Sequence, residues 1–332
     1  MKDTRICVLG DGGWGTTLAL LLHKKGFSVT LWGAFSEYIS YLNRKKENPR
    51  FLPGVKIPGG IEITPDLEKA VRQKKLIVLA IPSQYLRNIL IRLKKTDYPS
   101  QATYLSVIKG IEIKTLKRMS QVIRDELGNI KLAVLSGPTI AQEVVRGIPS
   151  TAVIAAEEMP LRKYLQKIFM TDKFRVYTNN DMIGVELGGS LKNIIAIACG
   201  ISDGLRFGAN TKAAILARGL AEISRLGQAM GANLHTFSGI SGLGDLVTTC
   251  ISPYSRNRYV GEQIGKGKTL KYIQSHLKMV AEGIPTTNSA YALSLRYKVG
   301  MPITKEIFAV LYKNKSPQKA VRDLMTRKSK EE

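Results

Sequence analysis

The stretch Arg5-Ile-Cys-Val-Leu-Gly10-Asp-Gly-Gly-Trp-Gly15-Thr-Thr-Leu-Ala-Leu-Leu-Leu-His-Lys-Lys25-Gly26 decides the fold of this 332-residue chain. A short apolar run leads into a glycine loop, then a leucine- and alanine-rich helical segment that stops at Gly26. Gly10 suits the tight turn, Gly12 lets a backbone approach a pyrophosphate, and Gly15 permits close packing of helix on strand. The helix N-terminus then offers amides and the positive end of its dipole to an anion. A bare GxGxxG is a weak signal, but one set between an N-terminal strand and a helix predicts a dinucleotide-binding α/β fold.

Further apolar runs extend that pattern. Phe27–Trp32, Leu76–Ile81, Tyr104–Ile108, Leu132–Leu135, Thr151–Ala156 and Phe174–Tyr177 read as strands. Leu76–Ile81, continuously apolar, has the character of a central parallel strand. Helices are expected at Asp66–Gln73 and Met159–Phe169, and a proline- and glycine-rich loop at Asn48–Gly60. Pro82-Ser83, Lys109-Gly110 and Ser136-Gly-Pro-Thr139 stand at strand ends, the edge where doubly wound sheets bind ligands. After Asn179-Asn180 the character changes to helices: Thr211–Met230, then segments around Tyr272–Lys278, Thr287–Lys298 and Ile303–Lys313. Ser238–Thr249 is too glycine-rich for plain helix, and Pro253–Arg258 reads as a loop feeding a helix. The expected organisation is an α/β Rossmann-type doubly wound domain over residues 1–180 and an all-helical domain over 181–332.

Val185–Gly200 reads as a helix that is apolar on nearly every side beyond Asn193, hence a buried one. Lys192 stands at the head of that run, with Gly188-Gly189 one turn earlier. A buried ammonium is costly without a partner or a task, so Lys192 is the candidate working residue.

Bulk properties restrict the remaining possibilities. Composition is that of an ordinary folded protein, and Met1–Arg5 enters the first strand without signal-peptide architecture. The longest apolar runs, Leu18–Leu22 and Ile194–Ile201, are too short to span a bilayer. Three cysteines, at 7, 199 and 250, fit a reducing cytosol better than disulfides or a zinc site. A cytoplasmic protein without a metal is expected. Fifty basic residues against 26 acidic ones give a net charge of +24, which suits anionic partners. The basic residues are scattered, with concentrations at Arg44-Lys45-Lys46 and after Lys313. A small phosphorylated substrate explains them more economically than specific nucleic-acid binding, although nonspecific binding at low salt follows from the charge alone.

Several stretches occur together in order: Gly10–Gly15, Ile81-Pro-Ser83, Val107-Ile-Lys-Gly-Ile-Glu112, Ser136-Gly-Pro-Thr139, Glu186-Leu-Gly-Gly-Ser-Leu-Lys-Asn193, Gly242-Leu-Gly-Asp245, Ser255-Arg-Asn257 and Val280-Ala-Glu-Gly283. As a set they resemble the bacterial NAD(P)-dependent sn-glycerol-3-phosphate dehydrogenases over essentially the whole chain. The resemblance implies reversible hydride transfer between NADP or NAD and dihydroxyacetone phosphate, giving sn-glycerol 3-phosphate for phospholipid synthesis by a homodimer. It implies Lys192 as catalytic acid and base, with Asp245 orienting it and binding a hydroxyl. Lys109 would help hold the substrate, Thr139 and the Gly137 backbone would line its edge, and Arg256 with Ser255, Asn257 and Asn193 would hold its phosphate. Gly10, Gly12, Gly13, Trp14, Gly15, Lys109, Ala141, Arg256, Val280 and Glu282 would contact the cofactor.

Two other classes compete. A 6-phosphogluconate- or β-hydroxyacid-type dehydrogenase also joins a Rossmann domain to helices and a catalytic lysine. A basic nucleic-acid-binding protein on a dinucleotide fold would need affinity that survives physiological salt. Histidine-centred chemistry is poorly supported, because His23, His235 and His276 all lie away from strand ends. Cofactor choice is the point of departure from the family: many members carry His or Arg after the second strand, where this chain has Ala34-Phe35. The usual acid is missing as well, Glu37 being the nearest. Use of both cofactors is expected, with a modest lean to NADPH from the surrounding basic charge.

Overall fold

The structure, a computed structural model, describes residues 4–277, 279–329 and 331. The chain folds as two compact units, Met1–Lys109 with Lys117–Glu186, and Gly110–Leu116 with Leu187–Glu332. The expected start of the chain at Met1–Asp3, and Lys278 at the end of an expected helix, lie outside the described residues.

The first unit is built on strands β1 (Arg5–Leu9), β2 (Ser28–Trp32), β3 (Glu47–Asn48), β4 (Leu52–Lys56), β5 (Glu62–Thr64), β6 (Leu76–Leu79), β7 (Thr103–Ser106), β8 (Lys131–Ser136), β9 (Ser150–Ala155) and β10 (Phe174–Asn179). Eight of them form one sheet in the order β10-β9-β8-β7-β6-β1-β2-β5. Neighbours from β5 to β8 run parallel, β8 and β9 pair antiparallel, and β9 and β10 are parallel to each other. β1 and β6 are buried along almost their whole length, which is why they read as continuous apolar runs. Ile6, Val8, Leu31, Val78 and Leu105 join Leu18 and Leu22 of the first helix, Gly13–Lys24, in one core cluster. Strand order reverses between β1 and β6, so the loops at their C-terminal ends, Gly10 and Ala80, flank the switch point where such sheets bind ligands.

One expectation is corrected here. Asn48–Gly60 is not simply a loop: β3 and β4 form a small antiparallel hairpin. Its buried Asn48 supplies the polar contacts that organise it. Strand β5 is too short for periodicity to mark, and the helices Leu86–Leu93 and Met119–Leu127 also lie outside the sequence expectations.

The second unit is built of helices. Met182–Gly204 carries Lys192 and is longer than the expected 185–200. By length and hydropathy this helix is long enough to cross a bilayer, which corrects the estimate from its shorter apolar run. Its most apolar window is 94% buried in the protein, as in a core helix. Ala209–Ala229, Gly283–Arg296 and Pro302–Tyr312 match expected helices closely. Between Ile240 and Gly244 the chain makes a π-type turn, as its glycines suggest. It becomes regular helix from Asp245 to Ile251, starting inside the segment Ser238–Thr249, expected to be too glycine-rich for plain helix. A final helix, Pro317–Met325, is capped by Ser316, whose hydroxyl accepts from the Lys319 amide.

Candidate active site

In the first unit the glycine loop meets the requirements of its motif. Gly10 has φ +124°, and a Cβ there would lie 2.4 Å from the Ala80 carbonyl oxygen. A Cβ on Gly15 would come within 1.9 Å of the Gly10 oxygen, so only glycine allows the first helix to pack this closely. A Cβ on Gly12 meets nothing within 4 Å, which leaves its backbone open to an approaching group. Gly13 backs onto Phe51 and Ala141, and the Thr17 hydroxyl donates to the Ala141 carbonyl at 3.4 Å. Three buried polar atoms around this loop lack a hydrogen-bond partner among the described residues: Asp11 Oδ2, Trp14 Nε1 and Gln142 Oε1. Orphaned polar atoms are costly. Together with the open face of Gly12 and the helix N-terminus, they fit a dinucleotide with its phosphates and hydroxyls.

At the neighbouring ends of β7 and β8, Lys109 Nζ donates to the Gly137 carbonyl at 2.8 Å and to Thr139 Oγ1 at 3.4 Å. Gly137 adopts φ +141°, a backbone conformation other residues rarely take. This brings Lys109, Gly137 and Thr139 into one cluster at the sheet edge.

The second unit holds the other group. Lys192 and Asp245 are buried, and their Nζ and Oδ1 form an ion pair at 2.9 Å. Lys192 Nζ also donates to the Thr249 hydroxyl, which itself donates to the Asp245 carbonyl at 2.7 Å. Thr249 stands four residues beyond Asp245, one helical turn, so the helix Asp245–Ile251 brings both to the ammonium. Thr249 is the residue the sequence reading missed; its i+4 spacing from Asp245 was the available signal. A Cβ on Gly188 would be 2.6 Å from the Ser241 oxygen, so the small residue before Lys192 lets the π-type turn pack against its helix.

Glycines also position the expected phosphate-binding loop. Cβ atoms on Gly200 and Gly261 would lie 2.0 Å from the oxygens of Arg258 and Ile197, so the Lys192 helix and the helix Arg256–Gly265 cross almost backbone to backbone. Ser255 caps the second helix, accepting from the Arg258 amide at 3.2 Å, which sets Arg256 and Asn257 in its first turn. Asn257 Nδ2 donates to Asn193 Oδ1 at 2.9 Å, and its own Oδ1 accepts from the Gly283 amide at 2.8 Å. Asn193, Asn257 and the start of the helix after Glu282 are thereby joined. Arg256 keeps solvent exposure in a dense surround. Desolvation draws its pKa below the usual value, opposed by the Glu282 carboxylate. A guanidinium remains charged through such a shift. Val280 is 41% exposed, at the approach to this segment. Thus Lys192, Asp245 and Thr249 form one cluster, and Asn193, Asn257, Arg256 and Glu282 a second.

Comparison with known proteins identifies the family of the whole chain. The family model for the NAD-dependent glycerol-3-phosphate dehydrogenase N-terminus matches residues 5–161, and that for the C-terminus matches residues 181–322. The chain is 51% identical to a glycerol-3-phosphate dehydrogenase (NAD(P)+) of Pelotomaculum thermopropionicum, covering 97% of this chain and 93% of that one. It is 50% identical to the protein of the same name from Chlorobium phaeobacteroides, with 99% of each covered. Among solved structures, the glycerol-3-phosphate dehydrogenase of Coxiella burnetii superimposes with a TM-score of 0.95 at 36% identity, covering 98% of this chain and 100% of that one. With both halves of the fold matched, in chain order, by the two parts of one enzyme family, the chain belongs to the NAD-dependent glycerol-3-phosphate dehydrogenases.

Proposed function

We propose that the protein reversibly transfers a hydride between NAD(P)H and dihydroxyacetone phosphate, giving sn-glycerol 3-phosphate as a precursor for phospholipid synthesis in the cytoplasm. The family assignment supports this reading over 6-phosphogluconate-type and nucleic-acid-binding alternatives. Residues 1–180 would serve the dinucleotide and 181–332 the substrate, within a homodimer. The single observation that carries the chemistry is the buried Lys192 ammonium, fixed by Asp245 and Thr249.

The nicotinamide, when bound, supplies or takes up the hydride. As the ketone is reduced, negative charge develops on its oxygen and a proton must arrive there. Lys192 donates that proton and recovers it in the reverse direction. Asp245 holds the ammonium in place and accepts from a substrate hydroxyl. Arg256 offers a planar fork to the phosphate, supported by Ser255, Asn257 and Asn193. Lys109 and Thr139, with the Gly137 backbone, steady the substrate at the sheet edge. Gly10, Gly12, Gly13, Trp14, Gly15 and Ala141 cradle the cofactor, with Val280 and Glu282 near it. The test is spectrophotometric: purified protein should oxidise NADPH or NADH with dihydroxyacetone phosphate and far more slowly with dihydroxyacetone. Equal rates on the two substrates would refute phosphate recognition.

A further inference from the structure

In doubly wound folds the residue after the second strand usually meets the 2′ position of the adenosine ribose, an acid gripping the hydroxyls of NAD or a cation facing the phosphate of NADP. Here that strand ends at Trp32 and is followed by Gly33, Ala34 and a Phe35 that is 71% exposed. Glu37 is also exposed, in the first turn of the next helix. The place is nevertheless not without polar groups. A Cβ on Gly33 would stand 2.5 Å from Ile39 Cδ1, 2.7 Å from Asp11 Cγ and 3.0 Å from Asp11 Oδ1. The Asp11 carboxyl, coming from the glycine loop, therefore shares with the Ile39 side chain the space that a side chain after the second strand would fill.

The hairpin ties a turn that carries a cation to the same glycine loop. Asn48 Nδ2 donates to the Asp11 carbonyl at 2.7 Å and to Thr16 Oγ1 at 2.8 Å. Asn48 Oδ1 accepts from the Tyr38 hydroxyl at 2.6 Å and from the Phe51 amide at 3.3 Å. These bonds tie the turn Asn48–Phe51 to the glycine loop. Arg50, in that turn, is exposed, its guanidinium 5.1 Å above the Phe51 ring. Its charge is felt at Asp11: desolvation raises that carboxyl's pKa, and Arg50 pulls the other way.

Resting on the dinucleotide reading of Gly10–Gly15, we propose that Asp11 and Arg50 together replace the residue after the second strand as reader of the adenosine 2′ position. Asp11 accepts from the ribose hydroxyls of NADH, and Arg50 faces the 2′-phosphate of NADPH. The buried Asp11 Oδ2, which has no partner among the described residues, is the cost the free protein bears for this arrangement. Two opposed devices a few residues from the pyrophosphate cradle account for a site that takes both cofactors.

The experiment is a fluorescence titration giving Kd for NADPH and NADH with the native protein, Asp11→Asn, Asp11→Ser and Arg50→Gln, at one ionic strength. Both Asp11 variants should weaken NADH relative to NADPH by about tenfold, and Arg50→Gln should weaken NADPH relative to NADH by a similar factor. Two Asp11 variants guard against one of them failing to fold. A Kd ratio equal to the native one in the folded Asp11 variants, or in Arg50→Gln, overturns the proposal alone. Binding of neither cofactor by the native protein overturns the dinucleotide reading and this proposal with it.

Discussion

Lys192 and Asp245 face each other at 2.9 Å with side-chain exposures of 6% and 2%, and Thr249 holds the same ammonium. A buried pair of this kind contributes little net stability, because desolvation offsets most of the attraction, yet removing one partner strands a buried charge. The arrangement fixes the position of a proton more than it strengthens the fold.

Lys192→Ala is accordingly expected to lower kcat by roughly two to four orders of magnitude, the range for loss of a general acid. Cofactor affinity should be nearly unchanged. Asp245→Ala, which leaves the ammonium unpaired, should cost roughly 3–5 kcal/mol of stability. Steady-state kinetics, cofactor titration and urea unfolding check the three statements separately. A Lys192→Ala enzyme with near-native kcat would pass the proton role to Lys109.

Arg256→Lys keeps the charge and loses the planar fork. It should raise KM for dihydroxyacetone phosphate by about tenfold or more while the urea midpoint stays put. An unchanged KM would mean that the phosphate is held elsewhere.

Glu222 provides a pH-dependent test of the helical unit. Its buried carboxylate accepts from the Ile303 amide at 2.6 Å, the Thr304 amide at 3.1 Å and the Thr304 hydroxyl at 3.0 Å, closing the N-terminus of the helix Pro302–Tyr312. Desolvation raises its pKa above the ordinary 4.5, with those three bonds acting in the opposite sense. The folded state therefore holds this proton more tightly than the unfolded state. Stability contributed at this site is full below 4.5 and declines as pH rises through the raised value. Urea midpoints of the native protein and Glu222→Gln, compared between pH 4 and 7, should show that decline only in the native protein. Parallel pH profiles would count against the assignment.

Both cofactors should be used, with a modest lean to NADPH that shrinks as salt rises, since the net charge of +24 attracts the more anionic dinucleotide. Measuring kcat/KM for NADPH and NADH at low and high ionic strength checks this. Strong preference for NADH at both would show that the acid near the ribose dominates.

The sequence by itself determined the features whose causes are local. Glycine spacing after Leu9, the apolar runs of β1 and β6, and the all-round apolar helix after Asn193 are legible because strand burial, backbone clearance and helix periodicity are written within a few consecutive residues. Only the tertiary structure decided the features that depend on chain crossing. Strand β5 is three residues long and exists through pairing with β2. The Thr249 hydroxyl reaches Lys192 across 57 residues, and Glu222 caps a helix more than 80 residues away. Asp11 reads as one more loop residue until Gly33 is found beside it, and Arg50 as a solvated loop cation until Asn48 ties its turn to Asp11. Such encounters are set by how the sheet and helices bring distant backbone together; the i+4 spacing of Asp245 and Thr249 is written locally, but their meeting with Lys192 is not.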